Sequence, residues 1–151
     1  MRYQGKYRPK NPSKYMGDPT NIIYRSSWEL KLMSYLDKHP NVTRWGSEEM
    51  YLPYKSPVDG KLHRYFPDFY VEQINTEKKK EKILIEVKPK YQTMPPDVSK
   101  KKTPTGKISK TFLQEVKNYG VNQAKWKAAK QYCADRGWRF QIMTEEHLGI
   151  K

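Results

Sequence analysis

One cysteine, three histidines and the lack of any long apolar run remove several chemistries from this 151-residue chain. A lone Cys133 cannot close an internal disulfide, so the sequence suits a reducing compartment rather than a disulfide-stapled scaffold. His39, His63 and His147 stand apart from one another and from Cys133, and zinc-finger spacing is absent. No apolar run approaches the roughly 20 residues of a membrane span, and no signal-type apolar stretch follows Met1. Acidic residues are also scarce: sixteen Asp and Glu face thirty Lys and Arg, a formal net charge of +14. That balance attracts polyanions, so a nucleic acid is the expected partner and a membrane is not. Aromatics, by contrast, are plentiful at 13%, twelve of them tyrosines, which is what a packed core needs and a disordered basic tail lacks. The length fits one domain.

Residues 1–25 read as an irregular basic arm, its charge interrupted by Tyr3, Tyr7, Tyr15, Ile22 and Ile23, which favours docking on the domain formed by residues 26–151. A helix is expected from Ser26 or Ser27 to about Lys38, stopped by Pro40, with Trp28, Leu32, Tyr35 and Leu36 on one face. A short strand near residues 42–45 and a hairpin turning at residues 57–60 follow. Two clear strands are expected over residues 64–72 and 82–88, joined by a solvated loop at 75–81. Residues 91–108, rich in Pro and Lys without apolar periodicity, read as a mobile basic loop. Helical patterning resumes at Ser109, with a break expected around Gly120 and a second segment running from Asn122 to Arg136. A last strand over 138–143 and a short helix over 144–148 complete a small α/β domain with a mixed central sheet flanked by helices.

Chemistry concentrates in two of these strands. Side chains alternate along a strand, so Glu86 and Lys88 share one face while Ile83, Ile85 and Val87 share the other. Upstream, Asp68 follows Pro67 and shares a face with Phe66 and Tyr70, opposite Tyr65, Phe69 and Val71. If the two strands pair, Asp68 and Glu86 approach closely, and a divalent cation is the simplest relief of their repulsion. Asp68, Glu86 and the Val87 carbonyl would supply part of an octahedral oxygen shell for magnesium, and manganese fits the same ligands. A water retained by the ion and oriented by Lys88 would attack a phosphodiester, with the lysine also balancing charge on the phosphoryl group. The triplet alone proves little, because Glu29–Lys31, Asp59–Lys61, Glu77–Lys79 and Glu115–Lys117 repeat it. The apolar β context and the Pro-Asp strand upstream single out Glu86 and Lys88.

Glu29 either closes a capping box with Ser26 or turns inward as a third acid. Lys125 and Lys127 are either a solvated helix face or contacts to DNA phosphates. Arg2, Lys6, Arg8, Lys10, Lys100, Lys101 and Lys102 are candidates for DNA contact by charge alone.

The run Pro67-Asp68, then Glu86-Val87-Lys88 after an acidic first helix, resembles the PD-(D/E)xK nuclease superfamily. Wider landmarks include Gly17-Asp18-Pro19, Trp28-Glu29, Trp45-Gly46-Ser47-Glu48, Lys125-Trp126-Lys127 and Arg136-Gly137. Together they resemble the head-completion nucleases of large contractile-tailed bacteriophages over nearly the whole chain. The resemblance implies a restriction-endonuclease-like fold and a metal-dependent DNA endonuclease acting after packaging and before tail joining. It implies phage head or neck proteins as partners, and the host cytoplasm or the virion as location. By the same resemblance Glu29 is the acidic helix residue, Asp68 and Glu86 the metal-binding acids and Lys88 the catalytic lysine. Two alternatives stay open: a non-catalytic DNA-binding protein of the phage head or neck, and an end-cleaving transposase-type endonuclease.

Overall fold

The computed structural model describes residues 4–150, so Arg2 lies outside the described residues. The first helix, α1 (Ser27–Lys38), begins where the sequence sets its cap: Ser26 is extended and its Oγ accepts the Glu29 N–H at 3.1 Å. Its buried face is Leu32, Met33 and Leu36. Tyr35, expected on that face, is exposed and lies against the His39 ring instead, with Met33 taking the inward position.

The last turn of α1 is closed by the chain that precedes it. Strands β1 (Gly5–Tyr7) and β2 (Ile22–Tyr24) pair antiparallel, with a 3-10 turn at Pro12–Lys14 between them. Lys14 Nζ donates to the carbonyls of Asp37 and His39, both at 2.8 Å, which a helix end leaves unpaired. Asp37 itself is fully buried and accepts from the Tyr7 hydroxyl at 2.7 Å and the backbone N–H groups of Lys10 and Asn11 at 2.7 and 2.9 Å.

Four strands form the central sheet: β3 (Val42–Ser47), β6 (Phe69–Ile74), β7 (Lys80–Val87) and β8 (Arg139–Met143). They lie in the order β3-β6-β7-β8. The first two pairings are antiparallel and the last is parallel, the mixed sheet expected of this α/β pattern. The connection to the parallel strand is α2 (Lys110–Arg136), capped by Ser109 and ended by Gly137 at φ +71°. Helix α3 (Glu145–Leu148) packs on α1.

Both faces of the sheet are covered, which is why its middle strands read as nearly continuous apolar runs. Phe69, Val71, Ile83 and Ile85 pack with Trp45, Leu32, Met33, Leu36 and Leu148 on one side. Tyr70 and Leu84 pack with Trp126, Ala129 and Cys133 of α2 on the other. A separate antiparallel ribbon, β4 (Leu52–Lys55) and β5 (Leu62–Tyr65), lies over this second side through Leu52, Tyr54 and Tyr65.

Three expectations are corrected. The run over residues 64–72 is two strands: Pro67 has no N–H for a ladder, and the chain leaves the ribbon there to enter the sheet. Tyr65 consequently belongs to the core layer of Tyr70, not to that of Phe69 and Val71. Helix α2 runs unbroken through Gly120, since one helical glycine costs only about 1 kcal/mol and the apolar face beyond it is firmly packed. Residues 90–100 contain two 3-10 turns, Lys90–Thr93 and Val98–Lys100, and Lys102 bridges to Ile108.

Candidate active site

The sheet register carries the two acids to one place. Phe69 lies opposite Ile85, and continuing that antiparallel register sets Asp68 beside Glu86 at the end of β7. Asp68 Oδ2 accepts the Val87 N–H at 2.7 Å, so Val87 contributes its amide to fixing the acid. Glu86 is only 6% exposed, and its Oε1 accepts the Tyr65 hydroxyl at 2.9 Å. Lys88 Nζ stands 3.7 Å from Glu86 Oε2, while the Lys88 backbone N–H is tied to the Met143 carbonyl at 3.0 Å.

Burial and the neighbouring Glu86 charge hold the Asp68 proton well above the usual carboxylate range, with Glu29 adding to the effect. Burial also raises Glu86, against the opposing pull of Lys88, the Tyr65 hydroxyl and Lys125. A half-buried and a buried carboxylate that both resist ionisation are a site in want of positive charge. Among the described residues no group of three or more His, Cys, Asp and Glu side chains gathers into a cage. A donor set of two carboxylates fits an ion that keeps much of its water shell, as magnesium does, better than one that needs a closed protein cage.

Lys125 reaches the same place from α2. Its ammonium lies 5.7 Å from the Tyr54 ring centroid and 5.6 Å from that of Tyr65. Lys88 and Lys125 together line a cleft of about 430 Å³ between α2 and residues 88–96, whose walls include Tyr91, Gln92, Asn118 and Asn122. Lys127 is exposed two positions along α2 and does not line the cleft. Lys6, Arg8, Lys10, Lys100, Lys101 and Lys102 are all exposed.

Glu29 does both things open to it in part. Its Oε2 accepts the Arg25 N–H at 2.7 Å, one residue before the cap rather than at the cap itself, and its charge is felt at Asp68. Three residues escape a reading of motifs alone. Tyr65 orients Glu86; it is the one buried residue among 62–66, and its inward position follows only once the strand break at Pro67 is known. Glu48 donates its backbone N–H to the Asp68 carbonyl at 3.0 Å from a left-handed conformation, φ +52°. Arg25 pairs with the Glu48 carboxylate at 2.6 Å and lies within electrostatic reach of Glu29 and Asp68.

Comparison with known proteins agrees with this geometry. Residues 39–145 match the family described as TnsA-like endonuclease N terminal, a span that holds Asp68, Glu86, Lys88 and Lys125. The chain is also similar to a protein named head completion nuclease from Enterobacteria phage T4. The two are 42% identical over 148 residues, covering 98% of this chain and 95% of that one. The chain therefore belongs to the TnsA-like endonuclease family, in the branch of the head completion nucleases.

Proposed function

We propose that this chain is a divalent-cation-dependent DNA endonuclease that acts in phage head completion, after packaging and before tail joining. The observation that carries the reading is the pairing of half-buried Asp68 with buried Glu86 at the end of β7, with Lys88 beside it lining a cleft. Asp68 and Glu86 would hold magnesium, or manganese in its place, through carboxylate oxygens. Such an ion, when bound, supplies Lewis-acid polarisation of the phosphoryl oxygens and a more acidic water.

The chain's own residues do the rest. Tyr65 keeps the Glu86 carboxylate in one orientation, and the Val87 amide does the same for Asp68, so the two acids are held before substrate arrives. Lys88 Nζ, 3.7 Å from Glu86 Oε2, is too far to donate a hydrogen bond to that acid and can donate to a phosphate oxygen or an attacking water, balancing charge on the phosphoryl group. Lys125, half-buried over two tyrosine rings, adds a second positive charge on the cleft side. Glu29, within electrostatic reach of Asp68, is the third acid. The exposed cations Lys6, Arg8, Lys10, Lys100, Lys101, Lys102 and Lys127 give DNA affinity through the phosphate backbone without reading sequence.

Plasmid cleavage at low salt tests the reading, with wild type, Asp68→Ala and Lys88→Ala compared in magnesium and in EDTA. Nicking or linearisation by wild type in magnesium alone is expected. Folded wild type that binds plasmid yet never cuts it, in magnesium or manganese, overturns the catalytic reading and leaves a structural DNA-binding role. For the assembly role, a phage lacking this gene should be rescued by wild type and not by Asp68→Ala.

A further inference from the structure

The ribbon formed by β4 and β5 has one face the fold does not use. Residues 52, 54 and 65 point inward and are buried, and exposure alternates without exception along residues 51–56. The outward set is therefore Tyr51, Pro53 and Lys55 on one strand and Leu62, Arg64 and Phe66 on the other, all exposed. Tyr51, Leu62 and Phe66 are 49%, 74% and 43% exposed, unusual for three large apolar groups on a face that none of the described residues covers. They are also arranged: the Tyr51 and Phe66 rings lie 5.4 Å apart, and the Arg64 guanidinium stands 4.9 Å over Tyr51. The face carries two cations and no acid. It ends at Phe66, two residues before Asp68.

From this we infer that the outer face of the β4–β5 ribbon is a DNA-binding surface that enters a groove of the duplex and sets the cut site over Asp68 and Glu86. The inference rests on the nuclease reading. Three observations choose DNA as the occupant. The face is cationic without acids, so its partner is anionic; a second copy of a chain at +14 is not. It is continuous with the acid pair through Pro67, so whatever lies on it also lies at the site. A two-stranded ribbon matches the major groove, about 12 Å wide. Lys55 and Arg64 contact phosphates on the groove walls, while Tyr51 and Phe66 lie against base edges and sugars at the end nearest the scissile bond.

The test is fluorescence anisotropy of a labelled 20-base-pair duplex in EDTA, where no cleavage occurs, across a salt series. Three double variants are compared with wild type. Lys55→Ala/Arg64→Ala should weaken binding and flatten the dependence of log Kd on log salt by about 0.9 per lost phosphate contact. Tyr51→Ala/Phe66→Ala should weaken binding roughly 5-fold or more with the salt slope unchanged. Lys79→Ala/Lys80→Ala removes the same charge at the far end of the β6–β7 hairpin, about 20 Å away, and should move neither. All six positions are exposed, so circular dichroism of each variant should match wild type. If the two ribbon variants bind no worse than the Lys79/Lys80 control, the ribbon does not touch DNA and its apolar face belongs to a protein partner. If wild type binds the duplex but does not cut plasmid, the catalytic reading fails while this one stands or falls on the variants. Wild type that binds no duplex overturns both.

Discussion

Asp68→Asn should make this protein more stable and inactive at once. The amide keeps an oxygen for the Val87 N–H and nearly the same shape, so the change removes charge and little else. Opposed residues of an antiparallel pair stand about 5 Å apart, and two unit charges at that distance repel by about 3 kcal/mol at an effective dielectric of 20. Lys88, at 3.7 Å from Glu86, and the Tyr65 hydroxyl already offset part of this, and a neutral acceptor holds the Val87 amide less tightly. A net gain of about 1–2 kcal/mol remains, which raises Tm by about 3–6 °C in a chain of this size. The gain must depend on pH. Asp68 and Glu86 bind protons more readily folded than unfolded, so their ionised form lowers stability as pH rises above the ordinary carboxylate range. Differential scanning calorimetry in EDTA should therefore show the variant ahead of wild type at pH 7.5 and the gap closing toward pH 4. Magnesium should raise wild type alone, by about 2.7 kcal/mol at one hundred times its dissociation constant. A variant less stable than wild type at pH 7.5, or a gap that does not change with pH, would refute the claim that the two acids repel across β6 and β7.

Three further outcomes follow from the same contacts. Lys88→Ala should lower the single-turnover cleavage rate by roughly 10²-fold or more while duplex affinity in EDTA changes little, because one ammonium at the site adds transition-state rather than ground-state binding. Tyr65→Phe removes the hydrogen bond that favours ionised Glu86, so the acid limb of the cleavage–pH profile should move to higher pH, and an unmoved limb would show that the hydroxyl does not govern Glu86. Asp37→Ala strands three donors at a fully buried position and should cost about 3–5 kcal/mol in denaturant unfolding. Because its hydrogen bonds with Tyr7, Lys10 and Asn11 outweigh burial and hold Asp37 below the usual range, its contribution is present above about pH 4 and fades as pH falls below that.

Much of this architecture is legible in the sequence, and the exceptions share a cause. Local signals placed α1 at its Ser26 cap, ended α2 at Gly137 and aligned Ile83, Ile85 and Val87 away from Glu86. Those depend on the neighbouring residue or on period two, and both survive in a single chain read alone. What failed was where the chain changes partner. Residues 64–72 have unbroken strand composition, yet the sheet partner of Tyr65 is Leu52 and that of Phe69 is Ser47 on one side and Ile85 on the other. Nothing in the composition states that switch except Pro67, which reads equally as an edge-strand residue. The same holds for Glu48 and Arg25. Their roles come from a contact between the loop after β3, the cap of α1 and the bend at Asp68, three segments distant in sequence.

The bend at Pro67 also explains why one short stretch can serve two purposes. Had residues 62–72 formed a single strand, Asp68 would lie in mid-ladder with its backbone committed to neighbours on both sides. Breaking the strand at Pro67 instead puts Asp68 at the end of the sheet, where its carbonyl accepts the Glu48 amide and its carboxylate takes the Val87 amide from the end of β7. The residue is thus held by two backbone donors, one on its carbonyl and one on its carboxylate, which have no rotamers to lose. Upstream of the same break, the ribbon is released from the main sheet, so its inner face can deliver Tyr65 to Glu86 while its outer face stays open. One proline therefore separates the ribbon face proposed to meet the substrate from the strand end proposed to carry the chemistry, and Phe66 and Asp68 stay two residues apart.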